Sequence, residues 1–141
     1  GLLKEVLLDV ERAHTETDYT DALQEVLGVL EASHRGFFAD QRDPGGQSWR
    51  ALASATVARK GHSTILADSQ DLRASLTGGG FGAGRDSRDR GLVFGTSIPY
   101  AIYHQQGTGR LPQRAFVGYS REALEQTVDI VANAAVWALK G

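Results

Sequence analysis

SIPYAIYHQQGTGRLPQRAFVGYS, residues Ser97–Ser120, is the stretch on which the reading of the fold turns. It holds two of the chain's three prolines, the Tyr100 and Tyr103 pair and a His104-Gln105 neighbourhood. Pro and Gly break it too often for one regular element, and its aromatic content is too high for a free linker. It therefore reads as an ordered connector whose shape matters, with Arg114–Gly118 as a short strand. Ser120 beyond it is placed to cap a C-terminal helix, with Glu122 in the first turn to suit the helix dipole.

Working outward, Leu124, Val128, Val131, Ala135 and Leu139 form one apolar stripe, widened by Ile130, Ala134 and Trp137. A stripe that wide suggests burial on more than one side, against the sheet and a neighbouring subunit, with a single thick core contact as the alternative. On the N-terminal side, LVFGT at Leu92–Thr96 is a β run, and Leu72–Thr77 is taken as its partner across the Gly-rich Gly78–Gly91. Those two runs make a long hairpin with a mobile, mixed-charge tip carrying Phe81, Arg85, Arg88 and Arg90. Gln41–Gly46 is a breaker cluster, and Trp49 behind it reads as a plug tying that loop to the core. A short helix is expected within Ala51–Lys60. Leu23, Val26, Leu27, Leu30, His34, Phe37 and Phe38 fall at helical period, with Asp18 or Thr20 as cap. Leu3, Val6, Leu7 and Val10 mark an earlier helix that pairs with it as a hairpin over residues 1–40.

The expectation is one α+β domain over residues 1–141: a small antiparallel sheet with a long hairpin, covered by N-terminal helices and a helix over 120–140. At 141 residues the chain is long enough to bury one core. Its formal net charge of −2 gives no global basic field for nucleic acid or an anionic membrane. The absence of cysteine excludes disulfides, thiolate catalysis and cysteine-ligated zinc. No run approaches the apolar length of a membrane helix. No methionine is present, so the natural start is expected to lie upstream.

No catalytic constellation emerges. Gly78–Gly82 lacks the Lys-Ser/Thr and the following helix of a phosphate loop. His104 has no nucleophile motif and no metal-ligand spacing to His14, His34 or His62, and it reads as a core histidine satisfied by hydrogen bonds. Asp68 with Asp71, and Glu122 with Glu125, are paired carboxylates without a cleft signature. No cofactor, metal or small-molecule substrate is expected.

An ordered series of short motifs points further. It runs Phe38, Asp43-Pro44, Gly46, Trp49, Lys60, Ile65-Leu66, Asp68-Ser69, Leu72 and Ser75-Leu76. It continues with Gly95-Thr96, Pro99-Tyr100-Ala101, His104-Gln105, Gly107, Pro112, Arg114, Phe116-Val117-Gly118 and Ser120. In this order they resemble the phage virion-morphogenesis and tail-completion proteins, from Phe38 to the C-terminus. Gln70 departs from the pattern, which tends to have Gly there. The resemblance implies a structural, non-enzymatic virion protein that finishes the tail or joins it to the head. It implies a homo-oligomeric ring, hexameric by phage-tail symmetry, assembled in the host bacterial cytoplasm. The implied neighbours are other neck, tail or head-connector proteins, and DNA passes through the channel. Arg114 in PxRxF suits a bidentate carboxylate contact within or between subunits, and Phe81, Arg85, Arg88, Arg90, Arg110 and Arg114 are candidate subunit or partner contacts. Trp49, Tyr100, His104, Gln105, Gly107, Pro112 and Phe116 are the structural motif. The alternatives are a tail-terminator-type ring, a DNA-contacting module using the Gly/Arg loop, and a small hydrolase using His104.

Overall fold

A computed structural model describes residues 4–5, 12, 16–66, 71–78, 83–87 and 91–140, with 83–87 described by backbone alone. The elements are α1 (Thr20–Asp40), α2 (Ser54–Lys60), α3 (Asp71–Thr77), β1 (Ala83–Ser87), β2 (Leu92–Thr96), α4 (Ala101–Gln106) and α5 (Arg121–Lys140). The described chain is predominantly helical. The expected helix over the first residues lies outside the described residues, except for isolated helical positions such as Lys4, Glu5 and Arg12.

The helical period fixes α1. Ala22, Val26, Leu30, His34, Phe37 and Phe38 are buried along one face. Tyr19 holds the cap position, and the Asp18 carboxylate accepts from the Thr20 N–H at 2.8 Å, satisfying one of the orphan amides of the first turn. Those hydrogen bonds from Thr20 hold the Asp18 carboxyl below its ordinary value. The helix stops where Gln41 turns left-handed at φ 54°. The loop beyond is self-satisfied: the Asp43 side chain accepts from the Gln47 N–H at 2.8 Å, and the Gly46 N–H donates to the Asp43 carbonyl. It returns the chain so that the Trp49 N–H donates to the Gln41 carbonyl at 2.7 Å.

The core gathers Phe38, Trp49, Ile65, Leu72, Leu76, Ile98, Ala101 and Phe116. Phe38 stands edge-on to Trp49 at 5.4 Å and tilted to Phe116 at 6.3 Å, an aromatic arrangement that adds to burial. Side-chain hydrogen bonds tie distant segments to this core. The Gln41 carboxamide oxygen accepts from the Ile65 N–H at 2.7 Å, and the Arg35 guanidinium donates to the Thr77 carbonyl at 2.6 Å.

Two strand expectations are corrected. Leu72–Thr77 is not the partner of β2; it is the helix α3. Leu72, Ser75 and Leu76 are its buried face, at i, i+3, i+4 spacing. The buried Ser75 hydroxyl keeps that face dry by donating to the Leu72 carbonyl at 2.7 Å, with the Thr96 hydroxyl at 2.8 Å. The strand opposite β2 is drawn from the Gly-rich segment itself: β1 pairs antiparallel with β2 from Ala83 with Thr96 to Ser87 with Leu92. The expected sheet thus shrinks to one two-stranded ribbon, docked on α3.

Arg114–Gly118, expected as a third strand, joins no ladder. Arg114 and Phe116 are buried with the i, i+2 alternation of a strand, but the backbone partners are not strands. The Arg114 N–H donates to the His104 carbonyl at 2.8 Å. The Trp49 indole N–H donates to the Ala115 carbonyl at 2.7 Å. The Gln105 carboxamide oxygen accepts from the Phe116 and Val117 N–H groups at 3.0 and 3.2 Å, while its NH2 donates to the Val117 carbonyl at 3.1 Å. The Gly118 N–H donates to His34 Nε2 at 3.2 Å. Gln105 acts here as a detached peptide group, and it takes the place a neighbouring strand would fill.

His34 is fully buried, and its geometry sets its tautomer. An amide N–H only donates, so Nε2 accepts; Nδ1 lies 2.6 Å from the Leu30 carbonyl and carries the hydrogen. Gly107 closes α4 at φ +76°, and a Cβ there would meet the Gln113 backbone nitrogen at 2.9 Å. Glycine is required at that point by both conformation and space.

Candidate partner-binding surfaces

Two surfaces carry features that packing alone does not account for. The first is the outward side of α5. Ser120 opens this helix by accepting from the Ala123 N–H at 3.1 Å. The helix packs on α1, and Ala123 is its one fully buried residue, flanked by the half-buried Thr127, Ile130 and Ala134. The stripe expected to be buried is only partly so: Ile130, Val131, Ala134 and Ala135 are half-buried, and the rest face solvent. Leu124, Val128 and Leu139 are about half exposed, and Trp137 is 76% exposed. The register that seats the small Ala123 and Ala134 toward α1 turns the larger side chains away. Beside them, Glu122, Glu125 and Asp129 are exposed at i, i+3, i+7 spacing, a second stripe on the same outward side. Arg121 pairs with Glu125 at 3.2 Å, a surface pair of small energetic weight.

The second surface is a cleft of about 840 Å³ between the segment 50–53, α2, α4 and the connector loop 108–112. Arg50, Arg59, Lys60, Arg110 and Arg114 line it, with His104, Tyr100, Leu52, Leu66, Leu111 and Pro112. Among the described residues no Asp or Glu does. The Arg114 guanidinium is buried at this cleft. It makes no carboxylate pair among the described residues; Nε donates to the Arg50 carbonyl at 2.7 Å and Nη2 to the Ala51 carbonyl at 3.3 Å. Neutral carbonyls satisfy its geometry, and among the described residues they supply no opposite charge.

His104 is corrected as well. It is half-buried at the cleft and stands edge-on to Tyr100 at 6.0 Å, and its buried Nδ1 has no hydrogen-bond partner among the described residues. The satisfied core histidine is His34. Burial first, then the charges of Arg114 and Lys60, holds the His104 imidazole below its ordinary value of 6.5. The unfolded chain takes up this proton near pH 6.5, whereas the folded chain resists until lower pH. Stability from this site is therefore complete above about pH 6.5 and declines as pH falls from there toward the folded value. Denaturant midpoints at pH 7.5 and 5.5 are expected to differ in that sense, and His104→Gln is expected to reduce the difference. An unchanged difference in the variant would assign the effect elsewhere.

The residues singled out from sequence thus divide. Tyr100, His104, Arg110, Pro112 and Arg114 meet at the cleft; Trp49, Gln105 and Phe116 tie the connector to the core. Arg85 lies on β1 opposite Phe94, away from that group in the topology. Phe81, Arg88 and Arg90 lie outside the described residues. Arg50 and Arg59 were not singled out, because the cleft joins positions far apart in the chain and no local motif announces it. Among the described residues, no three His, Asp or Glu gather as a metal set, and no helix is long and apolar enough to cross a membrane.

No curated protein and no solved structure matches the chain. The model of the phage virion morphogenesis family matches residues 3–135. With nearly the whole chain covered, the protein belongs to the phage virion morphogenesis family.

Proposed function

We propose that the protein is a structural, non-enzymatic component acting in tail completion or head–tail joining, and that it assembles as a ring, hexameric to match tail symmetry. Membership of the family makes it a phage morphogenesis protein that works with other phage structural proteins. The observation that carries the finer reading is the outward side of α5. Leu124, Val128, Val136 and Leu139 are each about half exposed on the side turned away from α1. Such a concentration of exposed large apolar side chains marks a contact surface. The fold beneath it is rigidly cross-tied, as a piece that works by shape requires. Repetition of one contact around an axis closes a ring.

Deleting the gene in a producing phage is expected to leave full heads and tails unjoined in electron micrographs. The wild-type gene is expected to restore infectious particles, and a Leu124→Lys/Val128→Lys gene is expected to fail while its product stays folded. Normal particles from the deletion strain would overturn the proposal.

A further inference from the structure

We propose that the basic cleft is the socket for the acidic first half of α5 from a second copy of this chain. This rests on the reading of α5 as a contact surface and names what that surface meets. Among the described residues, five Lys and Arg line the cleft and no Asp or Glu does, in a chain of fifteen Lys and Arg against seventeen Asp and Glu. The chain as a whole is slightly acidic, so the cleft's natural complement lies on the rest of the same surface.

The complement has a definite place. Glu122, Glu125 and Asp129 form one exposed stripe on α5, with Leu124 and Val128 beside it. The cleft offers the matching mixture: guanidinium and ammonium groups beside Leu52, Leu66, Leu111 and Pro112. The buried Nδ1 of His104, without a partner among the described residues, and the carbonyl-held guanidinium of Arg114 both sit there. Duplex DNA fits less well, because its phosphate backbone offers nothing to the apolar wall and a rod of that width does not enter such a cleft. No residue of α1 or α5 lines the cleft, so socket and plug are different patches of one molecule. A contact between different patches is heterologous, and it propagates head to tail, forming a ring where its rotation closes.

Sedimentation of the purified chain tests this through charge reversal at exposed positions. Arg59→Glu/Arg110→Glu in the cleft, and Glu122→Lys/Asp129→Lys on α5, are each expected to weaken self-association by about tenfold or more. Circular dichroism is expected to show all variants folded. Combining all four substitutions in one chain is expected to restore association, because the opposite charges meet again with signs exchanged. Loss in both partial variants without restoration overturns the pairing, as does association that ignores the cleft substitutions. If Leu124→Lys abolishes association while Arg59→Glu/Arg110→Glu does not, the pairing fails and the reading of α5 as a contact surface stands. A short DNA duplex that binds the wild type, loses binding in the cleft variant and leaves self-association unaffected assigns the cleft to nucleic acid and overturns the proposal.

Discussion

Replacing Trp49 with Ala is expected to destabilise the protein by about 3–5 kcal/mol, measured by denaturant unfolding. The ring is 6% exposed and packs edge-on against Phe38. Its removal empties the space between the end of α1 and the connector, and the surrounding segments are too cross-tied to collapse into it. The substitution also strips the Ala115 carbonyl of the indole donor at 2.7 Å. Trp49→Phe isolates that second part: it keeps most of the apolar volume and is expected to cost about 1–3 kcal/mol. A loss below about 1 kcal/mol for Trp49→Ala would mean the ring is not part of the core.

Gln105→Leu is expected to cost about 2–4 kcal/mol despite the near-equal volume, because it leaves two amide hydrogens and one carbonyl of the connector unpaired. The affected groups are the Phe116 and Val117 N–H and the Val117 carbonyl. Phe116, 1% exposed, is held in the core by that backbone. Increased hydrogen exchange at Phe116 and Val117 in the variant would locate the damage where the geometry puts it. An unchanged denaturation midpoint would show that the connector is held by Phe116 burial alone.

These two residues show what the sequence makes legible and what it hides. Helices α1 and α5 are readable from period, and the turn after α1 from its Gly and Pro. Trp49 is readable as a plug because a large aromatic ring beside a tight turn has few other uses. α3 is misread because Ser75, a polar residue, occupies a buried place on its apolar face; the helical spacing of Leu72, Ser75 and Leu76 then passes for strand alternation. The connector is misread for the opposite reason. Its alternation of Arg114 and Phe116 is that of a strand, but a glutamine, a histidine and a tryptophan side chain supply the partners. Side chains that replace a strand leave no periodic signal. The outward turn of α5 is hidden because hydrophobic period gives the width of an apolar stripe and not the angle at which the helix docks. The cleft is hidden because its cations come from positions 50, 59, 60, 110 and 114, which only the fold brings together.

The account rests on a rigid small fold that works by contact, with α5 as its principal adhesive surface. A cryo-electron-microscopy reconstruction of the intact particle tests this most directly. The predicted result is density for the chain at the end of the tail, with Leu124, Val128 and Leu139 of α5 covered by a neighbouring subunit. Particles in which the chain is absent, or present with that side of α5 bare to solvent, would contradict it.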